Sequence, residues 1–246
     1  MSRTGSLPDF LLSASPVELQ YGIPDDALLR KSADFAVDAD NFLSYAGPAA
    51  GGASGGYTVD DNGAAATVAL QSALGGRLRM TTANNANVDD CVIRRGVNQY
   101  LYQAAKRLGF RCRFLLEDVD LTQLFMGFGT SGADPLDSLP SDGIFVSKVA
   151  TATDLTYQVR QDGVSTSGTL GVTLADGINY VLEIVVGVDG TIRFLLDEVQ
   201  YATVASTDTN IPNAAADLMD WMIGIETGAA ATKYIEIDSV RVVQEI

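Results

Sequence analysis

The chain has 246 residues, 47% of them hydrophobic and 19% charged, which is the balance of a folded globular protein rather than a disordered one. Its 31 acidic residues against 16 basic ones leave a net charge of −15; this repels phosphate backbones and anionic bilayers, so neither nucleic acid nor membrane is expected as a partner. There is no histidine, which removes serine-histidine hydrolysis and most zinc chemistry.

Residues 1–32 read as an N-terminal arm with three prolines and no period-2 pattern. The run Phe10, Leu11 and Leu12 is too short for the hydrophobic region of a secretory signal, so synthesis and retention in a cytoplasm, or export by a route other than secretion, is expected. It is also too far from the periodic segments to bury itself, which makes these three residues the expected partner-binding element. P-D-D-A-L-L-R-K (24–31) has proline at a first helical position, acids at its start and bases at its end, the signature of a short helix. Residues 33–246 are expected to form one domain. It opens on a glycine- and alanine-rich loop, S-Y-A-G-P-A-A-G-G-A-S-G-G-Y (44–57).

From about residue 66 onward, short apolar or alternating runs follow one another. Strands are predicted at 67–72, 77–82, 90–95, 110–117, 124–129, 143–149, 155–160, 167–174, 180–186, 191–196, 199–204, 221–226 and 234–243. Q-D-G (161–163), V-D-G (188–190) and S-D-G (141–143) supply turn glycines between them. Residues 97–107 carry a helix-compatible pattern and 211–219 a helical turn. Thirteen strands exceed what one open sheet carries, so an all-β, two-sheet antiparallel sandwich of jelly-roll type is expected. In F-R-C-R-F-L-L-E, Cys112 alternates with the arginines on an apolar face and reads as a buried free thiol; two cysteines make no disulfide framework.

The succession L-G-F-R-C-R-F (108–114), Q-L-F-M-G-F-G-T (123–130), S-D-G-I-F-V-S-K (141–148), T-L-A-D-G-I-N-Y-V-L-E-I (173–184), V-D-G-T-I-R-F-L-L-D-E-V-Q-Y (188–201) and I-D-S-V-R-V-V-Q (237–244) resembles the concanavalin A-like lectin/glucanase sandwiches. It is most similar to small structural proteins of tailed bacteriophages. The resemblance spans roughly residues 70–246 and implies a non-enzymatic capsid decoration, or cement, protein. Such a protein sits on the outer surface of the virion, is assembled in the host cytoplasm, and binds the major capsid protein and neighbouring copies of itself. The alternatives are a carbohydrate-binding, lectin-like module, with a glycan as partner, and a diverged glycosidase.

The C-terminal Y-I-E-I-D-S-V-R-V-V-Q-E (234–245) carries the glycosidase alternative, because E-I-D opens the active-site strand of laminarinase-type glucanases. That chemistry needs a second carboxylate four or five residues after Glu236, and Val240 and Arg241 stand there. No catalytic residue is therefore expected, and the segment reads as a strand that closes the sheet. Ile235 and Ile237 share one face while Val240 and Val242 share the other, so the alternation changes phase at Asp238-Ser239. Either a β-bulge restores one buried face or the strand is covered on both sides. Acid groups at Asp38/Asp40, Asp60/Asp61, Asp89/Asp90 and Glu117/Asp118/Asp120 lack a complete calcium-loop spacing and read as solvated acids; no metal or cofactor is expected. Tyr157, Tyr180 and Trp221 stand at strand spacing, which favours core over a sugar-stacking platform.

Overall fold

The computed structural model describes residues 35–40, 42, 48–49, 52–54, 56–61, 66–71, 76–83, 90–130, 135–214, 217–228 and 230–245. Within them the chain forms sixteen strands and no helix. The arm, its helix at 24–31 and Phe10, Leu11 and Leu12 lie outside the described residues.

The strands make two antiparallel sheets. The first runs β14 (Val199–Val204), β13 (Ile192–Leu196), β12 (Asn179–Val186), β7 (Leu108–Leu116), β16 (Tyr234–Glu245), β5 (Arg77–Thr81) and β4 (Thr67–Gln71), with β1 (Phe35–Asp40) paired to the second half of β16. The second runs β11 (Val164–Thr173), β10 (Asp154–Gln161), β9 (Gly143–Lys148), β8 (Thr122–Thr130), β15 (Met219–Thr227), β6 (Asp90–Tyr100), β3 (Tyr57–Asp61) and β2 (Gly52–Ser54). The expected two-sheet sandwich is the observed architecture.

Alternation builds the core. On β7, Phe110, Cys112, Phe114 and Leu116 are buried while Arg111 and Arg113 turn outward, so each strand gives one face to a shared interior that also holds Trp221, Phe128, Phe194 and Ile237. Two-residue turns set the outer hairpins. Asp162 and Gly163 between β10 and β11, and Asp197 and Glu198 between β13 and β14, all have positive φ, the type I′ geometry that matches strand twist.

Two expectations change. Residues 52–54, read as loop, form β2, residues 57–61, outside the predicted strands, form β3, and Phe35–Asp40 adds β1; these segments are short, and β1 pairs with β16, β3 with β6, and β2 with β3. The helix pattern at 97–107 is overridden because β6 continues to Tyr100, which pairs with Met219 and packs its ring 5.5 Å from Phe128. A register shift between Met219 and Trp221 absorbs the extra residues of β6. After Ile211, Asp217 N donates to Ala214 O at 2.9 Å, and residues 215–216 between them lie outside the described residues. The C-terminal segment, read as the strand that closes the sheet, is β16, and it lies inside the first sheet between β7 and β5.

Candidate functional site

The phase change in β16 is a β-bulge: the register with β7 shifts between Ile237 and Ser239, and Ile235, Ile237, Val240 and Val242 all enter the one core. Glu236 and Asp238 consequently face outward among arginines. Arg79 donates to Glu236 at 2.5 Å and Arg77 at 3.0 Å, while Arg113 reaches Asp238 at 3.0 Å. Burial alone raises the Glu236 carboxyl, but Arg79 and Arg77 outweigh it and hold the group below its ordinary value. A glycosidase's general acid needs the opposite shift, so Glu236 is not poised for that role.

A second carboxylate group was not legible as a set in the sequence. Asp90 on β6 and Glu226 on β15 are register partners, which places their Cβ atoms ~5 Å apart; Asp220 lies further along β15. All three are buried, at 2%, 7% and 1% exposure, withdrawn from any polymer that needs to straddle them. The adjoining outer face of this sheet is covered as well. Val92, Phe125, Phe145 and Met222 cluster there with Leu136, and Leu139 packs against them. The rings of Phe125 and Phe145 are 4.6 Å apart. Gln123 Nε2 donates to Leu136 O at 2.7 Å and so fastens the β8–β9 connection over the strands. A methyl on Gly129 would lie 2.7 Å from Pro140, so glycine there lets the connection approach.

Among the described residues, one open concavity lies between the β6–β7 and β14–β15 connections. It has a volume of about 410 Å³ and is lined by Leu101, Tyr102, Gln103, Ala104, Ser206, Ile211 and Asn213. Tyr102 and Ile211 are buried and form its floor, with amide and hydroxyl groups around them. The loop is fixed on three sides: Tyr102 Oη donates to Gly190 O at 3.0 Å, Gln244 Nε2 to Leu101 O at 3.1 Å and Arg107 N to Glu245 Oε2 at 3.1 Å. Burial, and then the Asp189 carboxylate, raise the Tyr102 hydroxyl above its ordinary range, so it stays a neutral donor. No lining residue carries a charge, although the chain carries −15. Such a lining suits an uncharged, hydroxyl-rich ligand.

The remaining sequence candidates are structural. Trp221 is buried, Tyr157 packs on Phe194 at 5.1 Å and Tyr180 on Phe114 at 5.9 Å, so none forms an exposed platform. Cys91 and Cys112 are buried free thiols. Asp90 is buried rather than solvated, and Asp89 lies outside the described residues. Asp118 accepts hydrogen bonds from Lys233 at 2.7 Å and Leu121 N at 3.0 Å. Nearby, the buried Lys148 donates to Thr122 O and Val149 O. Burial pulls its pKa down to about 8, against the opposing pull of Asp120 and Asp118.

No protein-family model and no curated protein matches the sequence. Solved structures do match. A Shewanella oneidensis MR-1 protein of unknown function aligns with a TM-score of 0.60 at 12% identity over 98% of this chain and 97% of its own. The endo-1,3-β-glucanase of Streptomyces sioyaensis aligns at 0.60 and 13% over 87% and 97%. The Emp47p carbohydrate recognition domain aligns at 0.58 and 9% over 87% and 99%. The chain therefore has the concanavalin A-like lectin/glucanase jelly-roll fold, a scaffold shared by enzymes and by non-catalytic binders.

Proposed function

We propose that this protein is a lectin-like module that binds a saccharide in the loop-end pocket without cleaving it. The uncharged rim of Gln103, Ser206 and Asn213 over the Tyr102 and Ile211 floor carries the reading, because a sugar ring presents hydroxyls at its edge and C–H groups on its face. The disposition of the acids supports the non-catalytic half: Glu236 and Asp238 are neutralised by arginines, and Asp90 and Glu226 are buried. A glycan array followed by calorimetry tests it. Binding that falls ~10-fold or more in Asn213→Ala and Gln103→Ala supports the pocket, whereas binding untouched by both, or no binding to any glycan, overturns it. Reducing-sugar release from laminarin and lichenan stays at background; turnover that disappears in Glu226→Gln or Glu236→Gln overturns the non-catalytic half.

A second reading is a bacteriophage capsid decoration protein on the outer surface of the virion, with the major capsid protein as partner. The charge of −15 favours it, since a protein so acidic is kept away from packaged DNA, and so does the apolar run Phe10, Leu11 and Leu12 ahead of the sandwich. Deleting residues 1–32 then abolishes binding to coat shells and leaves the melting temperature nearly unchanged. Equal shell binding by the full and truncated chains sinks the role of the arm.

A further inference from the structure

The second sheet ends on β11, and among the described residues that strand pairs only with β10. The Asp162-Gly163 turn makes Gln161 and Val164 the hydrogen-bonded pair that closes the hairpin. Counting outward along the register, Thr166 and Gly168 also aim their backbone groups at β10, and Ser165, Ser167 and Thr169 aim their N–H and C=O groups away from it. All three outward residues are exposed. Val164 beside them is 60% exposed. The regular register lasts through Thr169, and the shift opposite Asp154/Thr156 interrupts it only beyond that point.

Natural edges are commonly blunted by charge or proline, and this one is not. From Val164 to Leu174 the sequence V-S-T-S-G-T-L-G-V-T-L holds neither a charged residue nor a proline. The strand is also held in place. Thr166 Oγ1 donates to Asp208 Oδ2 at 2.8 Å and accepts from Asn210 Nδ2 at 2.9 Å, so little ordering is left to be done on association.

We infer that the free edge of β11 pairs antiparallel with β11 of a second copy, about a two-fold axis at Ser167. Two features select a second copy as the occupant. Outward groups on alternate residues are self-complementary under that axis: Ser167 faces Ser167 of the other copy and Ser165 faces Thr169, each facing pair exchanging both N–H···O bonds. A charge-free edge also lets two chains of −15 meet where repulsion is least. The pairing is closed by its symmetry, so it gives a dimer and no filament, and it leaves the loop-end pocket free in both copies. The inference does not depend on what that pocket binds.

Sedimentation velocity on the full chain from ~1 µM to ~1 mM tests it. A contact this small predicts a weak dimer, with a Kd on the order of 10–100 µM. Ser167→Pro removes an outward N–H and no bond to β10, so it keeps the melting temperature and weakens the dimer by ~10-fold or more. Ser167→Glu places two like charges face to face and has the same effect; it carries the test if the proline variant does not fold. Amide exchange of Ser165, Ser167 and Thr169 slows as concentration rises. A chain that stays monomeric to ~1 mM, or a dimer that survives the folded variants, overturns the inference.

Discussion

Lys148 gives the sharpest test of the interior, because burial works against its charge. It is 2% exposed, and its pKa falls from an ordinary 10.5 to about 8. Below pH 8 the ammonium is charged in both folded and unfolded chains, and the folded state bears its whole desolvation cost. Between pH 8 and 10.5 the unfolded chain keeps a proton that the folded chain has released, so this group makes stability rise with pH. A fall of roughly 2.5 pH units at ~1.4 kcal/mol each corresponds to ~3.5 kcal/mol in full, of which ~3 kcal/mol develops by pH 10.5. Cys112 acts in the opposite direction: burial raises its thiol far above the ordinary value of 9.0, so above pH ~9 the unfolded state gains by ionising and stability falls. Comparison with Lys148→Met cancels that contribution. The variant leaves the carbonyls of Thr122 and Val149 without this donor, a pH-independent offset. Urea denaturation at pH 7, 8, 9, 10 and 10.5 therefore gives a wild-type-minus-variant stability that climbs by ~3 kcal/mol across the series. A flat difference refutes the reasoning: the ammonium is then held charged by its carbonyl partners and by Asp118 and Asp120, and burial is not in control.

Glu236→Gln weakens the pairs with Arg77 and Arg79 and costs ~1–3 kcal/mol at pH 7. The folded pKa of Glu236 is lowered, so this advantage is present above pH ~4.5 and fades as pH drops through the folded value; guanidinium melts of both chains at pH 7 and pH 3 measure it. Gly129→Val drives a side chain into Pro140 and Met222 and destabilises by ~1–3 kcal/mol; an unchanged melting temperature contradicts the close covering of that face. Cys112 reacts with thiol reagents only at the rate of unfolding, and labelling of the native chain within seconds, read by mass spectrometry, counts against its burial.

The sandwich was legible where one face of a strand is wet. On β7 the alternation of Phe110, Cys112, Phe114 and Leu116 with Arg111 and Arg113 fixes both strand and orientation. The phase change at Asp238-Ser239 fits a bulge and a doubly covered strand equally, and the structure has the bulge, which brings Val240 and Val242 into the core of Ile235 and Ile237. Legibility failed where a short segment borrows its structure from a partner, as β1, β2 and β3 do. It failed again at Tyr100, where pairing with Met219 overrides a helix-compatible local pattern.

The candidate sites were hidden for a different reason. The pocket joins residues 101–104 to residues 206–213, and no local spacing connects them. The covering of the second sheet did leave a trace: M-D-W-M-I-G-I-E-T is buried at every position, and F-M-G-F-G is apolar at both parities, the mark of strands covered on both faces. The same rule applied to β11 gives the opposite answer: V-S-T-S-G-T places Ser165, Ser167 and Thr169 on one parity and no charge on either, a strand with one wet face and an undefended edge. It is from this edge, rather than from an acidic motif, that the pattern of the sequence points outward to a partner.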